Sequence, residues 1–160
     1  MGDIIRSVLV LGLIVLLLWG FGRFFTRTPD NPVKAIDYAK VVSQAKPAAD
    51  FALVAPDSLP SGWKATSARF DPDSWRMGVL TGDEEFIGLY QVKVSIDRAV
   101  DQFADGSKSA GTAEVAGETW TVRKGPQDRL TYVRREDGLT TLLNGTAPRA
   151  VLEDYVSSLS

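Results

Sequence analysis

The sequence predicts an α+β fold: one antiparallel-sheet domain with two or three helices, the last packed on the sheet, behind an N-terminal transmembrane helix. Three patterns predict it. Residues 7–22 carry no charge, and short alternating runs between 65 and 143 are punctuated by turn residues. At the C-terminus, Val151, Leu152, Tyr155, Val156 and Leu159 share one helical face. The 160 residues divide into an anchor with its flanks (1–27), a tether and short helix (28–49), and a soluble α+β domain (50–160).

The anchor is read from length and flanks. About sixteen uncharged residues at 1.5 Å rise cover roughly 24 Å, short of a bilayer core of about 30 Å. Adding Ile4, Ile5, Phe24 and Phe25 extends the span to about 22 residues, with Arg6 and Arg23 reaching the two interfaces and Trp19 at the aromatic belt. A core helix of this length would show a polar face, which this run lacks. A cleavable signal peptide is the rival reading, but the exit Gly22-Arg-Phe-Phe-Thr-Arg-Thr-Pro29 offers no small-x-small site. Only Arg6 and the terminal amine precede the span, whereas Arg23, Arg27 and Lys34 follow it. Positive-inside counting therefore places the domain in the cytoplasm.

Beyond the tether Thr28-Pro-Asp-Asn-Pro32, Asp37 caps a short helix with Tyr38, Val41, Val42 and Ala45 on one face, ended by Pro47. Residues 51–56 read as a short strand, and Leu59-Pro-Ser-Gly-Trp63 as a turn. Strands are expected over 65–70, 74–80, 86–94, 112–115, 119–123, 130–134 and 139–143. Their connectors are Thr81-Gly-Asp-Glu84, Ala116-Gly117, Gly125-Pro-Gln-Asp128 and Glu136-Asp-Gly138. A helix over 98–104 is capped by Asp97 and stopped by Gly106, and the last helix is capped by Thr146.

Composition excludes chemistry before it suggests any. With no Cys there is no disulfide, thiol nucleophile or iron–sulfur site. With no His, the commonest general base and metal ligand are missing. Lys and Arg number 18 against 20 Asp and Glu, and Arg6, Arg23 and Arg27 flank the anchor, so the remaining chain is mildly acidic and lacks a nucleic-acid footprint. No cofactor or metal is expected.

Candidate sites are therefore surfaces. Trp63, Trp75 and Trp120 can stack on a sugar or peptide, although Trp75 alternates with Met77 and Val79, and Trp120 with Val122, at core spacing. Arg134 and Arg135, with Arg123 and Lys124, end candidate neighbouring strands and can form one basic edge for lipid or an acidic partner, or simply protect the sheet edge. Asp83-Glu84-Glu85 reads as a solvated hairpin tip, and Asp71-Pro72-Asp73 as a turn that lacks the rest of a calcium loop. Asn144-Gly145-Thr146 matches a glycosylation sequon but equally forms a strand-to-helix turn.

The order of Val54-Ala-Pro-Asp-Ser-Leu-Pro-Ser-Gly-Trp63, Trp75-Arg-Met-Gly-Val-Leu-Thr81, Val115-Ala-Gly-Glu-Thr-Trp120 and Gly138-Leu-Thr-Thr-Leu-Leu-Asn-Gly145 resembles the actinobacterial domain-of-unknown-function family numbered 4245. That resemblance implies a single-pass membrane protein whose domain faces outside the cytoplasmic membrane, against the charge count, and brings no catalytic residues. The second half is similar, in architecture only, to extracytoplasmic domains associated with anti-sigma regulators. The expected function is a membrane-anchored, non-enzymatic binding or sensing domain, contacting the lipid bilayer and an envelope or membrane protein. The alternatives are a carboxylate-dependent hydrolase of envelope material and a structural accessory subunit of a membrane complex.

Overall fold

Two-residue turns between alternating strands dictate most of the topology. The β-turn Ala116-Gly117 has both residues at positive φ (56° and 80°), as does Asp137-Gly138 (47° and 83°), a geometry whose twist matches that of the strands it joins. In the computed structural model, which describes residues 34–160, helix α1 (Tyr38–Ala45) precedes strands β1 (Lys64–Asp71), β2 (Ser74–Leu80) and β3 (Phe86–Val92). Helix α2 (Ile96–Phe103) leads to β4 (Lys108–Val115), β5 (Glu118–Lys124), β6 (Leu130–Glu136) and β7 (Leu139–Gly145), and α3 (Arg149–Ser157) closes the chain. The strands form one seven-stranded sheet in the order β1-β2-β3-β7-β6-β5-β4, antiparallel throughout. It is built from two meanders. Helix α2 lets the second begin at the far edge and return until β7 pairs with β3.

Period-two alternation divides the core between the two faces of the sheet. Trp75, Met77, Leu89, Trp120, Val122, Tyr132 and Leu143 pack in one cluster with Leu152, Tyr155 and Val156 of α3. Val92, Val133 and Leu142 pack in the other with Ala99, Val100 and Ala104 from α2 and its end. The expected α3 stripe is thus buried on the sheet, with Arg149 and Asp154 outside.

The strand expected over residues 51–56 does not form; only Pro56 makes an isolated bridge, to Leu159. Ala55 exchanges backbone bonds with Ser160, both at 3.2 Å, and side chains satisfy Ala52 and Val54. Gln91 accepts from the Val54 N–H (2.9 Å) and donates to the Ala52 carbonyl (3.0 Å), and Trp75 Nε1 donates to the Val54 carbonyl (3.1 Å). Two caps also differ. Ser95, not Asp97, caps α2 by accepting from the Arg98 N–H. Thr146 exchanges bonds with Phe86, its N–H to the carbonyl and its Oγ1 from the N–H, both at 3.0 Å; α3 then starts after Pro148 with no side-chain cap. Asp37 caps α1 as expected.

Among the described residues, no helix is long and apolar enough to cross a membrane. The expected span, its cleavage alternative and the flanking Arg6, Arg23 and Arg27 lie outside the described residues.

Candidate functional site

Helix α3 covers only part of its sheet face. Beside it on that face lies a cleft of about 540 Å³, lined by the 50–54 segment, the β4–β5 and β6–β7 turns and the C-terminal end of α3. Phe51, Val54, Trp120, Val156 and Leu159 give it apolar walls; Glu118, Arg134, Glu136 and Asp137 give it charge.

Strand register explains the charged group. Thr121 lies opposite Val133, and carrying that antiparallel register toward the β6–β7 turn brings Trp120 beside Arg134 and Glu118 beside Glu136. Like charges across a pair of strands repel. Arg134 resolves this by bonding both carboxylates, Glu118 at 2.6 Å and Glu136 at 3.0 Å, while its guanidinium lies 5.3 Å from the Trp120 ring centre. Trp120 is 4% exposed, and its indole N–H has no acceptor among the described residues. A buried donor without a partner costs about 1–3 kcal/mol.

The wall formed by residues 50–54 is tied down from outside. Lys93 bonds Asp50 at 2.6 Å, reaches Asp73 at 3.5 Å, and lies 5.8 Å from the Phe51 ring centre. The hydrogen bond between them holds the Asp50 carboxyl below its usual range and raises the Lys93 ammonium.

Of the residues singled out from sequence, Arg134 and Trp120 line the cleft. Trp75 as a surface residue is a correction: it is 0% exposed, and its ring and N–H are spent on the core and on Val54. Trp63 is half-buried and stacks on Tyr155, ring centres 6.2 Å apart. Arg135 projects from the opposite sheet face to Arg134, where it bonds the Val94 carbonyl and Thr140 Oγ1. The basic edge does not form either. Antiparallel pairing sets Lys124 opposite Leu130, so Arg123 and Lys124 lie at the other end of β6 from Arg134 and Arg135. There Arg123 bonds Ser107, and Lys124 pairs with Asp128.

Residues 82–84 form an exposed hairpin tip, and Asp71–Ser74 close the β1–β2 turn. No group of three acidic side chains suited to a metal occurs among the described residues. Asn144 is 3% exposed, lies in β7 and donates to the Phe103 carbonyl, so the sequon is part of the strand end and its exit toward α3. Sequence reasoning missed Phe51, Glu118, Glu136 and Asp137. The available signal was Arg134 and Glu136 on one face of a strand whose neighbour opens with Glu118.

Fold and cleft together define a small α+β domain, helices on both faces of one antiparallel sheet, that leaves an amphipathic recess open beside its last helix. The chain belongs to the family described as Protein of unknown function (DUF4245), whose model matches residues 1–159. That match takes in the apolar N-terminal run as well as the sheet domain, and it bears out the resemblance read from the sequence motifs. No curated protein and no solved structure matches the chain.

Proposed function

We propose that this chain is a membrane-tethered, non-enzymatic binding or sensing domain, displayed outside the cytoplasmic membrane, whose ligand enters the cleft beside α3. One observation carries the reading: apolar walls from Phe51, Val54 and Leu159 and the paired charges around Arg134 converge on a single recess. Concave, partly apolar sites with a few fixed polar groups are the usual form of ligand sites. The tether rests on the uncharged run of residues 7–22, and the outward orientation on the family resemblance.

Site-specific photo-crosslinking tests the proposal. The full chain carries a benzophenone amino acid in place of Phe51, in the cleft wall, or of Asp83, on the hairpin tip. A reproducible adduct from position 51, absent from 83 and diminished by Arg134→Ala, is expected. Equal or absent labelling at both positions overturns it.

A hydrolase reading has one observation in its favour: Glu118 and Glu136 meet at one guanidinium within the cleft. A pair of carboxylates is the minimum for glycoside hydrolysis. It requires turnover of an envelope glycan that Glu118→Gln abolishes, with the position-51 adduct retained.

A further inference from the structure

We propose that the β1–β2 part of the sheet face that carries α2 binds a phosphate monoester, between Arg69, Arg76 and Arg129 and the hydroxyls of Ser67 and Tyr90. This site lies on the opposite face of the sheet from the cleft and does not depend on it. Register supplies the first argument. Phe70 and Trp75 are paired and belong to the core on the α3 side, so Arg69 and Arg76, the next pair, project from the other face directly opposite each other. Like charges so placed repel. On the cleft side Arg134 sits between two carboxylates. Here, by contrast, none of Arg69, Arg76 and Arg129 has a carboxylate within 4.0 Å among the described residues. Helix α2 packs on β7 and β6, which leaves Ser67 and Arg69 exposed and Arg76 half-buried.

The second argument is a pair of hydroxyls. Ser67, Gly78 and Gly88 form the neighbouring row across β1, β2 and β3. Ser67 Oγ stands 2.7 Å from the position a Gly78 Cβ would take, and the Tyr90 hydroxyl 2.6 Å from that of Gly88. Paired Cβ positions lie about 4.5–5.5 Å apart, so the two hydroxyls are set over neighbouring glycines, in space that side chains would otherwise fill. Tyr90 is fixed there by stacking on Phe103, ring centres 4.2 Å apart, and Arg76 lies 5.7 Å from the same Phe103 ring centre. Burial pushes the Tyr90 hydroxyl above its usual range, while the charges of Arg129 and Arg76 act on it in the opposite direction. That hydroxyl bonds no described residue, and of the Arg76 nitrogens only Nε is shut off from solvent without a partner. The third argument is chemical. Every side chain named can donate a hydrogen bond, and three are permanent cations. A carboxylate brings one charge and two oxygens. A phosphate monoester brings nearly two charges and three free oxygens, which suits forked guanidinium groups and hydroxyls together.

The test uses the full chain in maltoside detergent, which carries no phosphate, and nuclear magnetic resonance of the Gly78 and Gly88 amide groups. Glycerol 3-phosphate is the soluble probe, phosphatidic acid mixed into the micelle is the lipid probe, and acetate and phosphatidylcholine are the controls. Saturable shifts at both glycines with the phosphate monoesters, and none with the controls, are expected. Phosphatidic acid binding at least about tenfold tighter than glycerol 3-phosphate assigns the site to a lipid headgroup, and equal or weaker binding assigns it to a soluble ester. Arg76→Gln should weaken either probe about tenfold, and Arg69→Gln about two- to fivefold. Because Arg69 and Arg76 repel, Arg69→Gln should also raise the melting temperature without probe by about 1–3 °C, which separates lost binding from a lost fold. Acetate or phosphatidylcholine matching the monoesters overturns the phosphate assignment. Shifts unchanged by Arg76→Gln, or no response of either glycine to any probe, overturn the site.

Discussion

Gln91 holds the backbone of Val54 as a neighbouring strand would: its carboxamide oxygen accepts the Val54 N–H at 2.9 Å, and its amide bonds the Ala52 carbonyl. A buried side chain thereby replaces a ladder and fixes one wall of the cleft. Gln91→Leu keeps the volume but leaves two backbone groups without partners. Full-chain unfolding in denaturant should show a loss of about 2–4 kcal/mol, with the position-51 crosslink reduced in parallel.

Arg134 separates two carboxylates that the strand register brings together. Arg134→Ala should destabilise the domain by roughly 1 kcal/mol, more at low ionic strength, because Glu118 and Glu136 then face each other unscreened. Unfolding curves at 10 mM and 500 mM salt check this. The difference between variant and parent should narrow as salt rises.

Tyr132 predicts a limit on the alkaline side. Burial first, then its hydrogen bond to Glu153 at 2.8 Å, push its hydroxyl up to about 12, and burial raises Tyr155 as well. The folded state keeps these protons after the unfolded chain has begun to lose them near pH 10. The stabilisation is therefore complete below pH 10 and lost as pH rises toward 12. Thermal melting between pH 8 and 12 should show this decline, and Tyr132→Phe should make it shallower.

Gly145 marks a close approach. A Cβ there would lie 2.7 Å from the Phe86 carbonyl oxygen and 2.9 Å from Leu152 Cδ2, one a rigid backbone atom and the other in the α3 core. Gly145→Ala should cost about 1–3 kcal/mol. Gly82→Ala, at a position with open space around it, should change stability by less than about 0.5 kcal/mol. Paired melting curves check both.

The sheet and its helices were legible because local rules and tertiary structure agree there. Trp75, Met77 and Val79 recur at every second position and residues 74–80 form β2 to the residue, and the α3 stripe buries Leu152, Tyr155 and Val156. Misreadings arose where a distant group settled a local choice. Residues 51–56 look like a strand, yet Ala52 and Val54 are bonded by side chains on β2 and β3 and Ala55 by the backbone of Ser160. Thr146 looks like a cap, yet a backbone sixty positions away claims its hydroxyl. The cleft was less legible than the fold. Arg134 stood out as a basic residue, but its meaning depends on the register that sets it beside Trp120 and between Glu118 and Glu136. That register follows from the β5–β6 connection, where Gln127 and Asp128 both take φ of 58°, a geometry neither residue type announces in the sequence.

Topology tests the tethered, outward-facing domain most directly. A reporter fused after Ser160, active only outside or only inside the cytoplasm, distinguishes the family resemblance from the count of Arg23, Arg27 and Lys34. Activity confined to the outside, with the full chain in the membrane fraction, is the predicted result. Activity confined to the cytoplasm, or a chain released from the membrane, would contradict it.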